Sequence, residues 1–558
     1  MKLRQTNIEK LKTGNFDVCV IGGGINGAVS AAALSASGVR VALIERKDFA
    51  GVTSQQSSNL AWGGIKYLET FELALVRSLC LARNRLIRAY PSTVREISFY
   101  MTYPRGFRWP RVFVWLGAWL YWFIGNCFTR TPRLLSARQM ASEEPIIDLS
   151  SATGGIEYSD AFLHDNDARF VFNFVRRALT NGCIAANYVE VTRAVREGER
   201  WLISVRDVEK GETFVVRSKL IVNAAGPYVE DVNERLGIST RHRHVLSKGV
   251  HILVRRLTAS YRVLTFFADD GRLFFVIPMG PRTCIGTTDT RVDGPDVSVT
   301  EEDRRFVLDN INKRLRLEQP LTEGDIIAER CGVRPLVVSG ETKSANSQDW
   351  LQLSRKHAIE ASDGAVCVFG GKLTDCLNVG EEILDEVERA GIRIPYAGQR
   401  WYGEPAQSTR DEFFHQAKLM NLDALTSQTS SEPLSARLWR RYGGQAIGLL
   451  EHIREDPRDA ELLIEHAEYL RCEIEQAASR EMITKLDDFL RRRSKIAQVV
   501  SHEALRRAAG VREACRILFG AEADRKYDEY FAEHGTTEER VRSRNDYVSS
   551  PANPSGAP

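Results

Sequence analysis

The sequence predicts an α/β chain, α+β when taken whole. It reads as a doubly wound sheet domain, interrupted by an inserted antiparallel sheet and followed by a helical domain. Three observations predict this. A short β-branched run near the N-terminus stops at a glycine-rich turn and leads into a helix and a second strand. Two further strand-like runs far downstream also end at glycine. Beyond about Glu404 the apolar spacing gives way to charged, helical periodicity.

With 558 residues the chain exceeds one ordinary core, so two or three domains are expected. Residues 16–21 (FDVCVI) read as a buried strand, 25–37 as an Ala- and Leu-rich helix ending before Gly38, and 39–45 (VRVALIE) as the second strand. The runs 220–225 (LIVNAA) and 365–369 (AVCVF) supply further strands of the same sheet. This places a discontinuous nucleotide-binding domain at 14–75, 150–240 and 340–398. The β-rich span 241–339 reads as a substrate or cap domain, 76–149 as a membrane-facing helical insertion, and 400–535 as a C-terminal helical domain. A disordered tail rich in Ser, Pro, Gly and Ala is expected over 540–558.

Composition excludes several classes. At 43% hydrophobic and 27% charged residues the chain is globular. A net charge of +3 gives no global pull toward nucleic acid, and no such partner is expected. None of the ten cysteines stands in a CxxC spacing, so scattered core thiols of a reducing compartment are expected, with no metal site. The first 15 residues carry no apolar secretory core, which reads as a cytoplasmic protein.

Gly22-Gly23-Gly24-Ile25-Asn26-Gly27 fits G-x-G-x-x-G between strand and helix, the Rossmann arrangement. Gly22 permits the turn, Gly24 lets backbone approach a pyrophosphate, Gly27 allows close helix–strand packing, and Asn26 opens the helix. The helix N-terminus offers N–H groups and a positive dipole to the phosphates. Glu45, followed by Arg46, ends the second strand where a carboxylate meets the ribose hydroxyls of a dinucleotide. The motif by itself fits FAD and NAD equally.

Downstream segments separate the two. Residues 48–69 read DFAGVTSQQSSNLAWGGIKYLE. In order there follow GIEYSDAF from Gly155, VNAAGPYV from Val222, SKGVHILV from Ser247, IGTTDT from Ile285, CGVRPL from Cys331, SRKHAI from Ser354 and FGGKLTD from Phe369. RLWRRYGG from Arg437 and KLDDFLRRRSKI from Lys485 complete the series. The chain thereby resembles the FAD-dependent glycerol-3-phosphate dehydrogenases of the aerobic, quinone-linked type, over about 16–496. The resemblance implies a D-amino-acid-oxidase-like fold with non-covalent FAD. It also implies oxidation of sn-glycerol 3-phosphate to dihydroxyacetone phosphate by hydride transfer to flavin N5, with electrons passed to membrane quinone. A homodimer is compatible with it.

The resemblance also assigns residues. Arg334 and Arg355 match substrate-site arginines, whose guanidinium forks suit a phosphate. His251 matches the family's active-site histidine, a candidate base, although a histidine in an apolar strand also serves simply as core. Lys372 would stand near flavin and substrate and stabilise negative charge on the reduced ring. Gly370, Gly371, Leu373 and Thr374 would place backbone against the flavin, and Thr53, Ser54, Ser57, Gly63, Gly64, Ala225 and Gly226 would complete its site. Lys66 and Tyr67 are candidate substrate contacts, and Asp289 is expected to fix a turn. The family usually shows T-S-x-x-S-x-K-L-I-H-G-G-x-R-Y-L-E where this chain has Asn59 for Lys, Trp62 for His and Lys66 for Arg. Asp375-Cys376-Leu377 replaces the usual Thr-Tyr-Arg. These departures keep open a different 2-hydroxy acid or amine as substrate, an oxidase using O2, or a flavin-binding membrane scaffold without turnover.

Residues 97–142 contain no acidic residue but six arginines, at 105, 108, 111, 130, 133 and 138. Between them 112–129 is uncharged, with Trp115, Trp119 and Trp122 on one helical face. Indoles and arginines around an apolar helix suit the headgroup region of a membrane. A buried helix or partner interface is a second placement, and a true span, at the lower limit of length, a third. The first gives a protein held peripherally on the inner face of the cell membrane by the surface 105–138.

Overall fold

The computed structural model describes residues 3–107, 109–150, 152–339, 356–428, 430–464 and 467–534. The first strand, Asn15–Ile21, is buried along its C-terminal half and lies parallel between Val41–Ile44 and Thr213–Asn223. Register is set by Val18 and Val20 opposite Leu220 and Val222. Ile184–Ala186 continues the parallel sheet on one side and Ala365–Phe369 on the other, with Ala358–Ser362 antiparallel at the edge. Three separate stretches of chain, 15–44, 184–223 and 358–369, thus build one sheet, the second including a meander of Val189–Glu197 and Arg200–Asp207 that extends it.

Helix Ile25–Ala36 is almost wholly buried because alanine lets it lie close under the sheet and between helices Asp167–Thr180 and Cys376–Arg389. A Cβ on Gly27 would stand 1.8 Å from the Gly22 carbonyl oxygen, so only glycine fits at that crossing.

The second sheet has ten strands. Its longest pair is His242–Arg255 against Ala328–Ser339, antiparallel over twelve residues, which puts His251 opposite Arg330 and Ser247 opposite Arg334. Alternation along the strands separates two faces. Ile252, Val254 and Val276 pack beneath helix Glu301–Arg314, whereas Leu253, Ile277 and Phe275 face helices Leu73–Ala89 and Arg111–Ile124. His251 shares the second face. The sheet draws on more chain than 241–339. Val94–Pro104, Arg133–Ser136, Ala152–Leu163 and Leu60–Ala61 all join it, because strand 94–104 pairs with both 152–163 and Arg262–Phe267. The expected helical insertion at 76–149 therefore carries two strands of this sheet, Val94–Pro104 and Arg133–Ser136, among its helices.

The C-terminal region holds two helical clusters. One is built on Gln407–Leu419, Leu434–Tyr442 and Ala446–Glu455, the other on Arg471–Arg480, Ala509–Phe519 and Ala523–His534. A two-stranded ribbon, Leu462–Ile464 with Tyr469–Leu470, interrupts the expected helical run. The tail at 540–558 lies outside the described residues.

Candidate active site

A cleft of about 560 Å³ opens at the C-terminal ends of the parallel strands. Its floor is Gly22, Gly24, Ile25 and Asn26, its walls the loop Gly51–Ser54 and the turn Ala224–Pro227, and its far end Gly370 and Gly371. Gly22 takes φ +103°, and a Cβ there would come within 2.6 Å of the Ala224 carbonyl oxygen. Ser54 Oγ accepts from the Ile25 N–H at 2.9 Å and closes the loop over the helix N-terminus. A second cleft of about 530 Å³ shares Gly22, Glu45, Val52 and Ala225, and is walled by Ile44, Val189, Val191 and Tyr228. Arg46 lies flat on the Tyr228 ring, 3.7 Å from its centre. Glu45 stands where the clefts meet and accepts N–H bonds from Gly23 at 2.6 Å and Lys47 at 2.8 Å. Burial raises its carboxyl above the usual range. The sequence is thus a slot walled by aliphatic and aromatic side chains with Arg46, Glu190, Asp231 and Arg235 around it, a carboxylate, a helix N-terminus and a glycine turn, in the order that base, ribose, pyrophosphate and flavin of FAD require. Asn26 donates to the Gly370 carbonyl at 2.9 Å, and its own buried Oδ1 faces Gly371 with no partner among the described residues. That orphaned acceptor in an otherwise satisfied cleft suits a donor supplied by a bound molecule.

Beyond the glycine turn lies the second sheet. His251 is buried against Gly286, with both ring nitrogens unpartnered among the described residues. Desolvation, with the Arg334 and Arg330 charges, holds its pKa well below 6.5, so the imidazole is neutral. Arg334 lies over Gly249, where a Cβ would meet the guanidinium at 2.1 Å. It donates to Thr287 Oγ1 at 2.7 Å and the Thr288 carbonyl at 3.3 Å, and faces Asp289 at 3.4 Å. Asp289 also accepts from Ser247 Oγ, which ties the turn to the strand as expected. Lys372 Nζ donates to Tyr67 Oη at 2.8 Å and sits 4.2 Å from that ring's centre. Trp62 stands against Tyr67 and Phe275, at 6.1 and 6.4 Å between ring centres, and its Nε1 donates to Tyr158 at 3.4 Å.

A family model described as "FAD dependent oxidoreductase" matches residues 17–370, and one described as "C-terminal domain of alpha-glycerophosphate oxidase" matches 393–526. The chain belongs to the FAD-dependent oxidoreductase family. Within it, a protein of Mycobacterium bovis named glycerol-3-phosphate dehydrogenase 2 is 31% identical over 535 residues, covering 94% of this chain and 89% of that protein. A D-erythritol 1-phosphate dehydrogenase of Brucella abortus is 30% identical over 494 residues, covering 86% and 94%. The crystal structure of a glycerol-3-phosphate dehydrogenase from Bacillus halodurans, complexed with FAD, superposes with a TM-score of 0.68 over 98% of this chain and 97% of that one, at 23% identity. This FAD-dependent oxidoreductase therefore has the D-amino-acid-oxidase-type fold with the added helical domain, and FAD is its cofactor.

Not every residue expected at the oxidoreductase's site lines it. Ser57 gives both N–H and hydroxyl to Asp167 at 2.9 Å, because Asp167 starts a buried helix and needs donors. Thr53 lines the cleft but spends its hydroxyl on the Val333 carbonyl. Gly63 admits Tyr121, whose Oη a Cβ there would meet at 2.2 Å, and donates to Asp160. Gly64 takes φ +81° beside the Tyr67 ring. Leu373 packs into the core under the first sheet, and Thr374 donates to the Trp62 carbonyl at 3.4 Å. Lys66 is exposed. Arg355 lies outside the described residues.

Two of the departures turn out structural. Asn59 bridges Arg330 at 2.8 Å to the Asp165 carbonyl at 2.6 Å, and Asp375 pairs with His357 at 2.7 Å and Asn378 at 2.6 Å. His357 also meets Glu382 at 3.0 Å, and its carboxylate partners raise its pKa to about 9 against the desolvation that would lower it. Sequence reasoning missed Arg330, fully buried beneath His251 and bonded to Ser57, Asn59 and Gln498. It also missed the buried Arg83–Asp160 pair at 2.7 Å, which holds Tyr121 and Gly63. The signal was charge inside apolar strand and helix patterns, which needs a partner when buried.

Proposed function

We propose that the chain oxidises sn-glycerol 3-phosphate to dihydroxyacetone phosphate and passes the electrons to a membrane quinone. The observation that carries this reading is a buried His251, unpartnered among the described residues, beside the Arg334 charge, with Lys372, which follows the Gly370-Gly371 turn of the cleft that suits FAD, bonded to Tyr67. The flavin, when bound, supplies the hydride acceptor at N5. Arg334 offers a fork to the phosphate. A dianion beside Arg334 cancels the positive field on His251 and raises its proton affinity, so substrate itself readies the base for the C2 hydroxyl proton. Lys372, next to the Gly370-Gly371 turn of the cleft, would offer positive charge to the reduced flavin ring. The resemblance to glycerol-3-phosphate dehydrogenases supports this substrate. The relative named for D-erythritol 1-phosphate, together with Trp62 in place of the family's histidine, supports a second reading with a longer phosphorylated polyol.

Delivery to quinone is supported by helix Arg111–Ile124. Val112, Phe113, Leu116, Leu120 and Phe123 are all exposed on it. Among the described residues no helix is long and apolar enough to cross a membrane, so the reading is an in-plane contact. Anaerobic addition of sn-glycerol 3-phosphate to the detergent-purified protein tests the substrate. Bleaching of the oxidised flavin absorbance is the expected result. A flavin bleached by D-erythritol 1-phosphate alone would select the second reading, and one bleached by neither would remove both.

A further inference from the structure

We propose that the C-terminal domain is the clasp that sets the FAD loop, through the positioning residues Arg491, Arg492 and Arg493. The loop at 48–57 supplies Gly51, Val52, Thr53 and Ser54 to the cofactor cleft, yet it has little backbone support of its own. Apart from its internal turns, only the Ala50 N–H reaches the glycine turn, at the Gly23 carbonyl, 2.9 Å away. Its side-chain anchors include Ile25, Asp167, Asn187, Arg330 and Val333, and the densest set, on Asp48 and Gln55, comes from more than 400 residues away. Both Asp48 oxygens are taken by the C-terminal domain. Arg492 Nε and Arg493 Nη1 donate to Oδ2 at 2.7 Å, and Arg493 Nη2 to Oδ1 at 2.8 Å. Arg491 donates to the Gln55 carbonyl, and Arg492 to Gln55 Oε1 at 3.3 Å.

Three consecutive arginines reach one loop because the backbone makes a single wide turn at Asp488–Arg493, closed by Ser494 N–H to the Phe489 carbonyl at 2.9 Å, five residues back. Asp488 fixes that turn by accepting from the Thr484 and Lys485 N–H groups at 2.8 and 2.9 Å. The opposite side of the turn is fixed as well. Asn166, the cap of helix Asp167–Thr180, donates to the Arg491 carbonyl at 2.7 Å, and Asp167 of that helix holds Ser57 of the loop. The Arg493 guanidinium lies 4.0 Å from the centre of the Phe172 ring on the same helix.

All three guanidiniums are buried, as are Asp48, Asp167 and Asp488. Buried charges of this number are tolerated only when every partner is in place. A C-terminal domain that seats correctly thus has Asp48 and Gln55 where the cleft needs them, and a loop pinned by FAD holds the arginines' partners in place. The coupling is reciprocal by linkage.

The test uses the full chain stripped of FAD, titrated with FAD while flavin fluorescence quenching is followed. Thermal midpoints are measured in parallel on the FAD-free protein. Variants Asp48→Asn and Arg491→Lys are compared with Glu473→Gln, which breaks a buried pair with Arg441 inside the C-terminal domain, 2.8 Å long and off the loop. Expected are a Kd for FAD raised at least tenfold in the first two, and within twofold of wild type in Glu473→Gln even where its midpoint falls as far. A Kd within twofold of wild type in the loop-facing variants would overturn the proposal and leave the cluster merely structural. If neither variant folds, hydrogen exchange on the wild-type chain decides. FAD should slow exchange of the amides at 488–494, and unchanged exchange there would refute the coupling.

Discussion

Two histidines with opposite environments carry the residue-scale argument. His251 is buried among cations and its pKa is depressed, whereas His357 is buried between carboxylates and its pKa is raised to about 9. For His251 the unfolded chain binds the proton more readily. Its contribution to stability is present above the unfolded pKa of about 6.5 and is lost as pH falls below it. For His357 the sign reverses. Its contribution is complete below about 6.5 and fades as pH rises through 9, with a ceiling of about 3 kcal/mol from the full displacement. Wild type should therefore lose stability relative to His357→Gln between pH 7 and 9.5, read as converging urea midpoints, and parallel curves would contradict the pairing. His251→Gln should lower kcat/KM by about 10²- to 10⁴-fold, the range for a lost general base. Wild-type kcat/KM should fall between pH 7.5 and 6 only as far as the substrate phosphate loses its second charge, at about pH 6, since the neutral imidazole does not titrate there. Arg334→Lys keeps the charge and loses the fork, so KM should rise roughly tenfold, with flavin absorbance unchanged. The sequence showed His251 and Arg334 by type and motif. It did not show that Asn59 and Asp375, which depart from the family, complete buried networks with Arg330 and His357, because those partners lie 271 and 18 residues away and meet only in the fold.

At the scale of elements, the strand–turn–helix–strand unit was legible because its physics is local. A β-branched run, glycines for a left-handed turn and an alanine-rich helix each specify their own conformation. The second sheet was less legible, because strand 94–104 joins it through pairing partners on both sides rather than through any pattern of its own. The aromatic helix shows the same limit. The sequence placed its tryptophans toward the headgroups, but Trp115, Trp119 and Trp122 are half-buried and pack edge to face on one another, and the exposed face is aliphatic and phenylalanine. Arg108 of the flanking arginines lies outside the described residues. Acidic residues outside 97–142 neutralise part of the set, since Arg133 pairs with Glu143 and Glu157 at 2.7 Å and Arg130 lies 3.9 Å from Glu96. Apolar insertion should therefore dominate any attachment. Phe113→Ser with Phe123→Ser is expected to lower partition onto vesicles of phosphatidylcholine and phosphatidylglycerol at least tenfold in a flotation assay, because each burial of a phenyl contributes about 2 kcal/mol. Arg130→Gln should change it less than threefold. The double variant should keep its rate with a soluble dye as acceptor, and an equal loss there would place the helix in the fold's stability instead.

For the whole molecule, the cofactor cleft is assembled from parts far apart in sequence: the turn at 22–27, the loop at 51–54, the turn at 224–227, Pro335 and the glycines at 370–371. Each motif was visible in the sequence, and their convergence on one cleft follows from the parallel order of the strands that carry them. A ligand touching every part lends the folded state RT ln(1 + [L]/Kd), about 2.7 kcal/mol at a hundredfold excess over Kd. Removing FAD should therefore lower the thermal midpoint by an amount that grows with the FAD concentration used for comparison. The loss should also be uneven. The Ala-rich helix and central strands are buried in the first core, whereas the loop at 51–54 and the turn at 370–371 line the cleft. Limited proteolysis of FAD-free protein should cut first in these two segments, and added FAD should protect both at the same concentration. Protection of one segment at a distinctly lower concentration would mean that they do not answer to a single bound molecule, and the continuous reading of the cleft would fail.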